Sequence, residues 1–302
     1  MKLAPIILFA YNRPEHTRKT LESLKQNVLA DESVLFIYID GPRADATDEQ
    51  LKQINSVMEV AKAEKWCKEV YIIRSETNKG LAASVIKGVT ETVDKYGSVI
   101  VMEDDLVSDK YFLKFMNDAL TIYENETEVV CATGYIYPVT KALPESFFLK
   151  GADCWGWATW KRGWNLLETD GTKLLKELEV KGFTKDFDFG DSYPYVQMLK
   201  DQIAKKNNSW AILWYASAYL KNKYCLYPGH SLIHNIGVDG SGTHSGTSRE
   251  FDVDLKNVDV KLVKQEIKET KGTKEIIGEY FRQVRGVNND GFFKKLLKKI
   301  GG

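Results

Sequence analysis

The chain reads as an α/β fold with a mostly parallel sheet flanked by helices. Three observations predict it: strand patterns recur through the first 135 residues, amphipathic segments of helical length separate them, and one strand ends in three consecutive carboxylates. Short strands alternating with helices imply right-handed crossovers and therefore parallel pairing. In such open sheets ligands bind outside the carboxyl ends of the strands, so the loops that follow the strands are the first place to look for chemistry.

The elements follow in order. Ala4–Ala10 is an unbroken apolar run, a buried strand, and Pro14 takes the favoured first position of a helix over Glu15–Val28 that spaces Leu21, Leu24 and Val28 along one face. Val34–Asp40 is the second strand; Gly41-Pro42 turns the chain toward a helix near Asp48–Glu64 with Leu51, Ile54, Val57, Met58 and Ala61 on its apolar side. Glu69–Arg74 is the third strand, and Asn78-Lys79-Gly80 leads into a helix from Leu81 to Tyr96. Ser98–Glu103 is the fourth strand, followed by a helix at Lys110–Tyr123 and a fifth strand at Val129–Thr133. After Gly134 the rhythm gives way to aromatic loops and to helices at Thr172–Val180, Tyr195–Lys205 and Trp210–Lys221, with a short strand at Tyr224–Tyr227 and a Gly-rich loop at Gly237–Gly246. No repeat or low-complexity linker interrupts the chain. Residues 136–250 therefore complete the domain begun by residues 1–135, and residues 251–302 form a helical extension.

Composition narrows the function. With 302 residues and 43% hydrophobic content the chain has enough apolar material for a sizeable core. Lys plus Arg and Asp plus Glu both total 42, so no net field favours nucleic acid. Cys67, Cys131, Cys154 and Cys225 are scattered without a C-x-x-C pair, which argues against a zinc knuckle or a disulfide scaffold and fits a reducing cytoplasm. The opening apolar run is short, contains Pro5 and lacks a cleavage-type segment, unlike a signal peptide. No stretch reaches the roughly 20 apolar residues of a membrane span.

The chemistry is concentrated in the loops. Glu103-Asp104-Asp105 sets three like charges side by side, tolerable where a divalent cation such as Mg²⁺ or Mn²⁺ bridges carboxylate to phosphate, or as a solvated acidic turn. Tyr11-Asn12-Arg13, before Pro14, suits a base or a phosphate beside a helix N-terminus, or is an ordinary connection. Asp40 has the chemistry to accept hydrogen bonds from a nucleoside or to cap the Gly41-Pro42 turn. Asn78-Lys79-Gly80 combines a backbone turn, a cation and a helix start, suited to a diphosphate or to simple capping. Trp155-Gly156-Trp157, with Trp160 close behind, offers either core aromatics or an exposed turn on which a sugar ring stacks. His234 and His244 read as metal ligands or as loop hydrogen bonders, His244 on a lid-like Gly-Ser-Gly loop.

Taken together, these four loops resemble the nucleotide-sugar-binding half of the GT-A glycosyltransferases, a Rossmann-like fold. The acidic triplet is similar to the variant of the Asp-x-Asp motif in inverting enzymes of the N-acetylglucosaminyltransferase I type and in bacterial family 2 transferases. Cys154–Trp160, Asn208–Ala216 and Asn235–His244 resemble signatures of a bacterial group active in surface polysaccharide assembly. The resemblance implies an inverting transfer from a nucleotide-sugar donor to a saccharide or lipid-linked saccharide. It places Mn²⁺ or Mg²⁺ on Asp105, with His244 as a further candidate ligand, and Glu103 and Asp104 toward the sugar and ribose. Tyr11, Asn12, Arg13, Asp40, Asn78, Lys79 and Gly80 then line the donor site, and Trp155, Gly156 and Trp157 the acceptor site.

Such a reaction needs a carboxylate base, and related enzymes carry an acid beside the tryptophan of the helix that here begins Asn208-Ser209-Trp210-Ala211. This chain has none there, which leaves Asp188, Asp191 and Asp201 as candidates, Asp201 first and Asp191 second. A sugar nucleotidyltransferase is a weaker competitor because the loop after the first strand lacks glycine. A non-catalytic saccharide-binding protein on a degenerate scaffold is the other. Residues 292–300 set apolar side chains opposite four lysines, the pattern of a helix lying on the inner membrane face or packing on its own domain.

Overall fold

The computed structural model describes residues 3–240 and 249–285. Its first half alternates β1 (Ile6–Ala10), α1 (Pro14–Lys25), β2 (Val34–Ile39), α2 (Asp48–Lys62), β3 (Glu69–Arg74), α3 (Leu81–Tyr96) and β4 (Ser98–Glu103), as the sequence predicts. Then come β5 (Leu106–Ser108), α4 (Phe112–Ile122), β6 (Val129–Thr133), β7 (Ser146–Lys150), β8 (Trp157–Trp160), α5 (Lys161–Trp164), α6 (Gly171–Val180), α7 (Thr184–Phe187), α8 (Tyr195–Ile203), α9 (Trp210–Leu220), β9 (Tyr224–Pro228) and β10 (Ile233–Asn235).

The main sheet has eight strands in the order β3-β2-β1-β4-β8-β6-β9-β7. β1 to β4 are mutually parallel, whereas β8 lies antiparallel between β4 and β6. A separate two-stranded ribbon pairs β10 with β5. Strand burial follows position. Every residue of β1 is buried, because helices cover both faces, whereas β2 alternates half-buried and buried residues. One face packs Ile6, Leu8, Leu35 and Ile37 with Leu21 of α1, Val57 of α2 and Phe115 of α4. The other packs Ile7, Phe9, Val99 and Val101 with Val85 and Val89 of α3 and with Trp210 and Trp214 of α9.

Helix ends match their residues. Pro14 opens α1 at the position where its missing N–H costs nothing, and Thr47 with Gln50 forms a reciprocal capping box on α2. Ser209 caps α9, in which every residue but Ala211 is buried, so this helix is the interior pillar of the second half rather than an amphipathic surface element.

Two expectations are corrected here. Trp157 is not an exposed acceptor platform: it is 1% exposed, opens β8 opposite Val101 and Thr133, and packs against Trp164, Trp210 and Trp214 at ring-centroid distances of 5.6, 5.5 and 6.3 Å. Gly156 is buried as well. Its backbone has φ +60°, and a Cβ there would stand 2.5 Å from Ile233 Cγ1, so packing and conformation both demand glycine. The extension after residue 250 is helical only over 273–285 among the described residues. Before that it is an irregular strap whose Val260 is buried in the first core, while Ile277 and Phe281 enter the second. The basic tail at 292–300 lies outside the described residues.

Removing an aromatic from a core of this kind costs about 3–5 kcal/mol. Trp157→Ala is therefore expected to lower the unfolding free energy measured by urea denaturation by that amount. A variant with unchanged stability would mean that the ring is not packed as described.

Candidate functional site

Strand order reverses beside β1: β2 and β3 extend the sheet to one side, and β4 pairs on the other. The connections leaving β1 and β4 diverge at this switch point and open a crevice at the strands' carboxyl ends. Tyr11, Asn12 and Arg13 follow β1, and Glu103, Asp104 and Asp105 close β4, so the register of one parallel pair brings these two predicted clusters together.

Arg13 is the bridge. Its Nη2 donates to Asp104 Oδ1 and, at 2.8 Å, to Asp105 Oδ2, while the Tyr11 amide lies 3.4 Å from Asp104 Oδ2. Thr20 Oγ1 holds the Asp104 carbonyl at 2.9 Å, tying α1 to the same turn. Burial pushes the Asp104 carboxyl up to about 6, with Asp105 adding to the rise and Arg13 opposing it; it remains ionised at neutral pH. Glu103 is pushed further, to about 8, by burial first and then by the charges of Asp105 and Asp104. The guanidinium itself is held charged by the two aspartates, which outweigh its burial. Burial thus favours the protonated form of Glu103, while the guanidinium of Arg13 offsets charge on its neighbours.

The donor-loop residues on the far side of β1 also converge. Asp40 accepts from the backbone N–H groups of Gly41, Lys79 and Gly80 and from Asn78 Nδ2, all between 2.9 and 3.1 Å. Its carboxylate thus staples the turn after β3 to the end of β2 and fixes the start of α3. This is the turn-capping alternative. The Lys79 side chain is exposed and reaches Thr77 Oγ1 at 3.0 Å.

Asp105 faces a narrow space. The β10–β5 ribbon brings Gly237 so close that a Cβ there would stand 2.1 Å from Asp105 Oδ2. The Ile236 amide donates to the Asp105 carbonyl at 2.8 Å, and Asp239, two residues beyond Gly237, pairs with His16 at 3.1 Å. Among the described residues no three His, Cys, Asp or Glu side chains form a metal-holding group. Hard carboxylate oxygens at a crevice fit a cation shared with a ligand's phosphates, which needs only one or two protein carboxylates, rather than an all-protein cage. His244 lies outside the described residues, and His234 is a loop fastener whose Nδ1 is 2.7 Å from the Val253 carbonyl.

The predicted bases are each engaged by partners close in sequence. Asp201 accepts from Gln197 Nε2 one turn back on α8 and lies 3.6 Å from Lys206 Nζ, both local partners. Asp191 is 69% exposed, sits in a left-handed turn at φ +64° and faces Lys185 at 3.7 Å. Asp188 caps the start of α8 by accepting from the Val196 amide at 2.7 Å. Trp155 is half-buried, edge-on to Tyr135 and Phe251 with centroids 4.6 and 5.8 Å away.

One carboxylate escaped the sequence reading. Asp153 stands in the turn before β8, where its Oδ1 accepts from the amides of Cys154 at 2.6 Å and Trp155 at 3.2 Å, and its Oδ2 from Tyr227 Oη at 3.2 Å. Its carboxyl is pushed up by burial in spite of those donors. The only sequence signal is an acid just ahead of an aromatic strand, and its place becomes plain once β8 is seen to run antiparallel to β4.

The retained proton on Glu103 makes a pH prediction. The unfolded chain releases it near 4.5 and the folded chain near 8, so this group's contribution to stability falls as pH rises through that window, by at most about 1.4 kcal/mol per unit. Glu103→Gln removes the cost. Its melting temperature relative to the unsubstituted protein is expected to climb between pH 5 and pH 8; a flat difference would contradict the assignment.

The chain is similar to a known family and to several solved structures. The family model described as glycosyl transferase family 2 matches residues 6–169, more than half of the chain. No curated protein matches it. Among solved structures, residues 1–349 of TarS from S. aureus align over 79% of this chain and 61% of that one, at 14% identity and a TM-score of 0.42. The same fragment in complex with UDP aligns over 50% of this chain and 40% of that one, at 17% identity and a TM-score of 0.31. A UDP-glucose pyrophosphorylase complexed with UDP-glucose aligns over 76% and 91%, at 10% identity and a TM-score of 0.36. This chain thus spans less than two thirds of the TarS fragment. The span of the family match and the eight-stranded, mainly parallel sheet make this chain a member of glycosyl transferase family 2, with a GT-A type fold.

Proposed function

We propose that the protein is an inverting glycosyltransferase that takes a nucleotide-activated sugar and passes it to a saccharide or lipid-linked saccharide during bacterial surface polysaccharide assembly. The observation that carries the reading is the placement of Glu103-Asp104-Asp105 at the switch point beside β1, facing the Arg13 loop. The donor's diphosphate would lie across the crevice, with the start of α3 and Lys79 on one side and Asp105 on the other.

Mn²⁺ or Mg²⁺, held by Asp105 together with the diphosphate, would supply Lewis-acid stabilisation of the charge that develops on the leaving phosphate. The chain's own part is positioning. Arg13 offsets part of the charge of Asp104 and Asp105 before the donor arrives, and the Tyr11 amide and Thr20 hydroxyl hold the Asp104 turn against α1. The half-buried Trp155, beside Tyr135 and Phe251, offers an aromatic edge for an acceptor ring. A carboxylate on the opposite side of the anomeric carbon must take the acceptor proton, assistance worth on the order of 10²–10⁴ in rate.

No described helix is long and apolar enough to cross a membrane. Contact with lipid-linked acceptors would instead come through the basic amphipathic stretch at 292–300. Deleting 291–302 is expected to abolish co-sedimentation with anionic vesicles, and undiminished binding would remove the membrane role.

The donor reading is checked by thermal shift with UDP-, GDP- and dTDP-sugars, each with and without Mn²⁺. At a ligand concentration 100-fold above Kd, stabilisation by about 2.7 kcal/mol is expected for the matching nucleotide in the presence of metal. Asp105→Ala should lose the metal-dependent part of that shift. A shift that is identical in the variant would take Asp105 out of the metal site, and no shift with any donor would overturn the transferase reading.

A further inference from the structure

The acid absent from the start of α9 has a counterpart elsewhere in the crevice. Asn208 and Ala211 cannot accept a proton, and Ser209 is occupied in capping the Ile212 amide. The turn at 151–156 compensates by topology. Trp157 pairs with Val101 in the antiparallel β8–β4 pair, so the turn before Trp157 leaves the sheet at the same end as the carboxyl end of β4, where Glu103 to Asp105 follow. The Gly134 amide donates to the Gly156 carbonyl at 2.6 Å and locks this turn to the end of β6. The Cys154 thiol, next to Asp153 in this turn, is raised well above its ordinary range by burial and then by the charges of Asp153, Glu103 and Asp105.

We propose that Asp153 is the general base of the transfer, taking the proton of the attacking acceptor hydroxyl on its Oδ2. This rests on the transferase reading above. Two backbone amides and the Thr133 hydroxyl clamp Oδ1, so the carboxylate does not rotate away, whereas among the described residues Oδ2 accepts from Tyr227 alone and keeps a lone pair for a second donor. Asp153 and Cys154 are half-buried, as are Trp155, Tyr137 and Tyr195 nearby, so together they form the wall of a recess rather than a sealed core. The groups facing the carboxylate are neutral in the working range. Tyr135, Tyr137, Tyr195, Tyr227, Cys154 and Cys225 are all held protonated by burial, and among the described residues no lysine or arginine pairs with Asp153. Burial favours proton uptake by Asp153 and outweighs the hydrogen bonds from Trp155, Cys154, Tyr227 and Thr133.

In the step itself the acceptor oxygen forms its bond to the anomeric carbon as the bond from that carbon to the diphosphate oxygen breaks. The nucleoside diphosphate leaves with the electron pair, and the hydroxyl proton moves to Asp153 Oδ2 and then to solvent.

The test uses the full chain with Mn²⁺ and the same donor panel, following nucleotide release with water and simple saccharides as acceptors. Asp153→Asn keeps an oxygen for the two amides and is expected to retain the donor-induced thermal shift while losing turnover 100-fold or more. The acidic limb of the kcat profile should vanish with it, and Asp153→Glu should restore part of the rate. An Asp153→Asn variant that turns over within threefold of the unsubstituted protein, or that keeps the same acidic limb, overturns the proposal. An unsubstituted protein that leaves every donor intact overturns the transferase reading first, and is recognised before any substitution is made.

Discussion

The ion pair between Arg13 and the two aspartates is the constraint on which the crevice depends. A parallel strand that ends in Glu-Asp-Asp delivers three carboxylates to one spot, and burial raises the cost of each charge. The chain resolves this with a single guanidinium from the neighbouring connection and with a proton kept on Glu103. Neither would suffice alone. The pairing is available only because β1 and β4 are adjacent and parallel, so their trailing loops meet at the switch point. Sheet topology and local electrostatics are therefore one problem here. Any change that separates β1 from β4 leaves the acidic run without its cation.

The antiparallel β8 has a comparable organising role in the second half. By inserting between β4 and β6 it turns the sheet from parallel to mixed, buries Trp157 and Trp160 in place, and carries the Asp153 turn to the strand ends from the opposite direction. The four tryptophans at 157, 164, 210 and 214 then hold β8, α5 and α9 as one aromatic block. Rigid packing behind the sheet allows the loops in front of it to carry polar groups at fixed positions.

Much of the first half was legible because its signals are local. Apolar runs of strand length, Pro14 at a helix start and the Thr47 cap each depend on a few neighbouring residues, and the strands and helices appear where those patterns put them. The Arg13, Asp40 and Asp105 loops were legible for the same reason: each directly follows a strand. The Trp157–Trp160 strand was not, because a strand buried on both faces shows no alternation, and a Gly between tryptophans reads equally well as an exposed turn. Its burial is decided by Ile233 and Trp210, far away in sequence. Asp153 was hidden with it, since its importance lies in a pairing between β8 and β4 that no short window of sequence contains. Asp201 and Asp191 attracted notice through residue type and order along the chain, which say nothing about direction; one hydrogen-bonds along its own helix and the other projects into solvent.

Charge balance also explains why the proposed cation and the proposed base belong to the same design. Arg13 is committed to Asp104 and Asp105, and the exposed Lys79 at the start of α3 is a point charge rather than a bidentate fork. An anionic donor entering beside two aspartates meets repulsion unless a divalent cation arrives with it. Once bound, that cation would relieve the same repulsion for Glu103 and allow its proton to leave. Asp153 stands apart from that exchange: its oxygens are held by amides and a phenol rather than by Arg13, and its affinity for a proton is raised by burial against those hydrogen bonds. If Asp153 is the base and Asp105 the cation's ligand, the two tasks of activating a hydroxyl and stabilising a departing phosphate fall to carboxylates with different hydrogen-bond partners, one held by backbone amides and the other by Arg13.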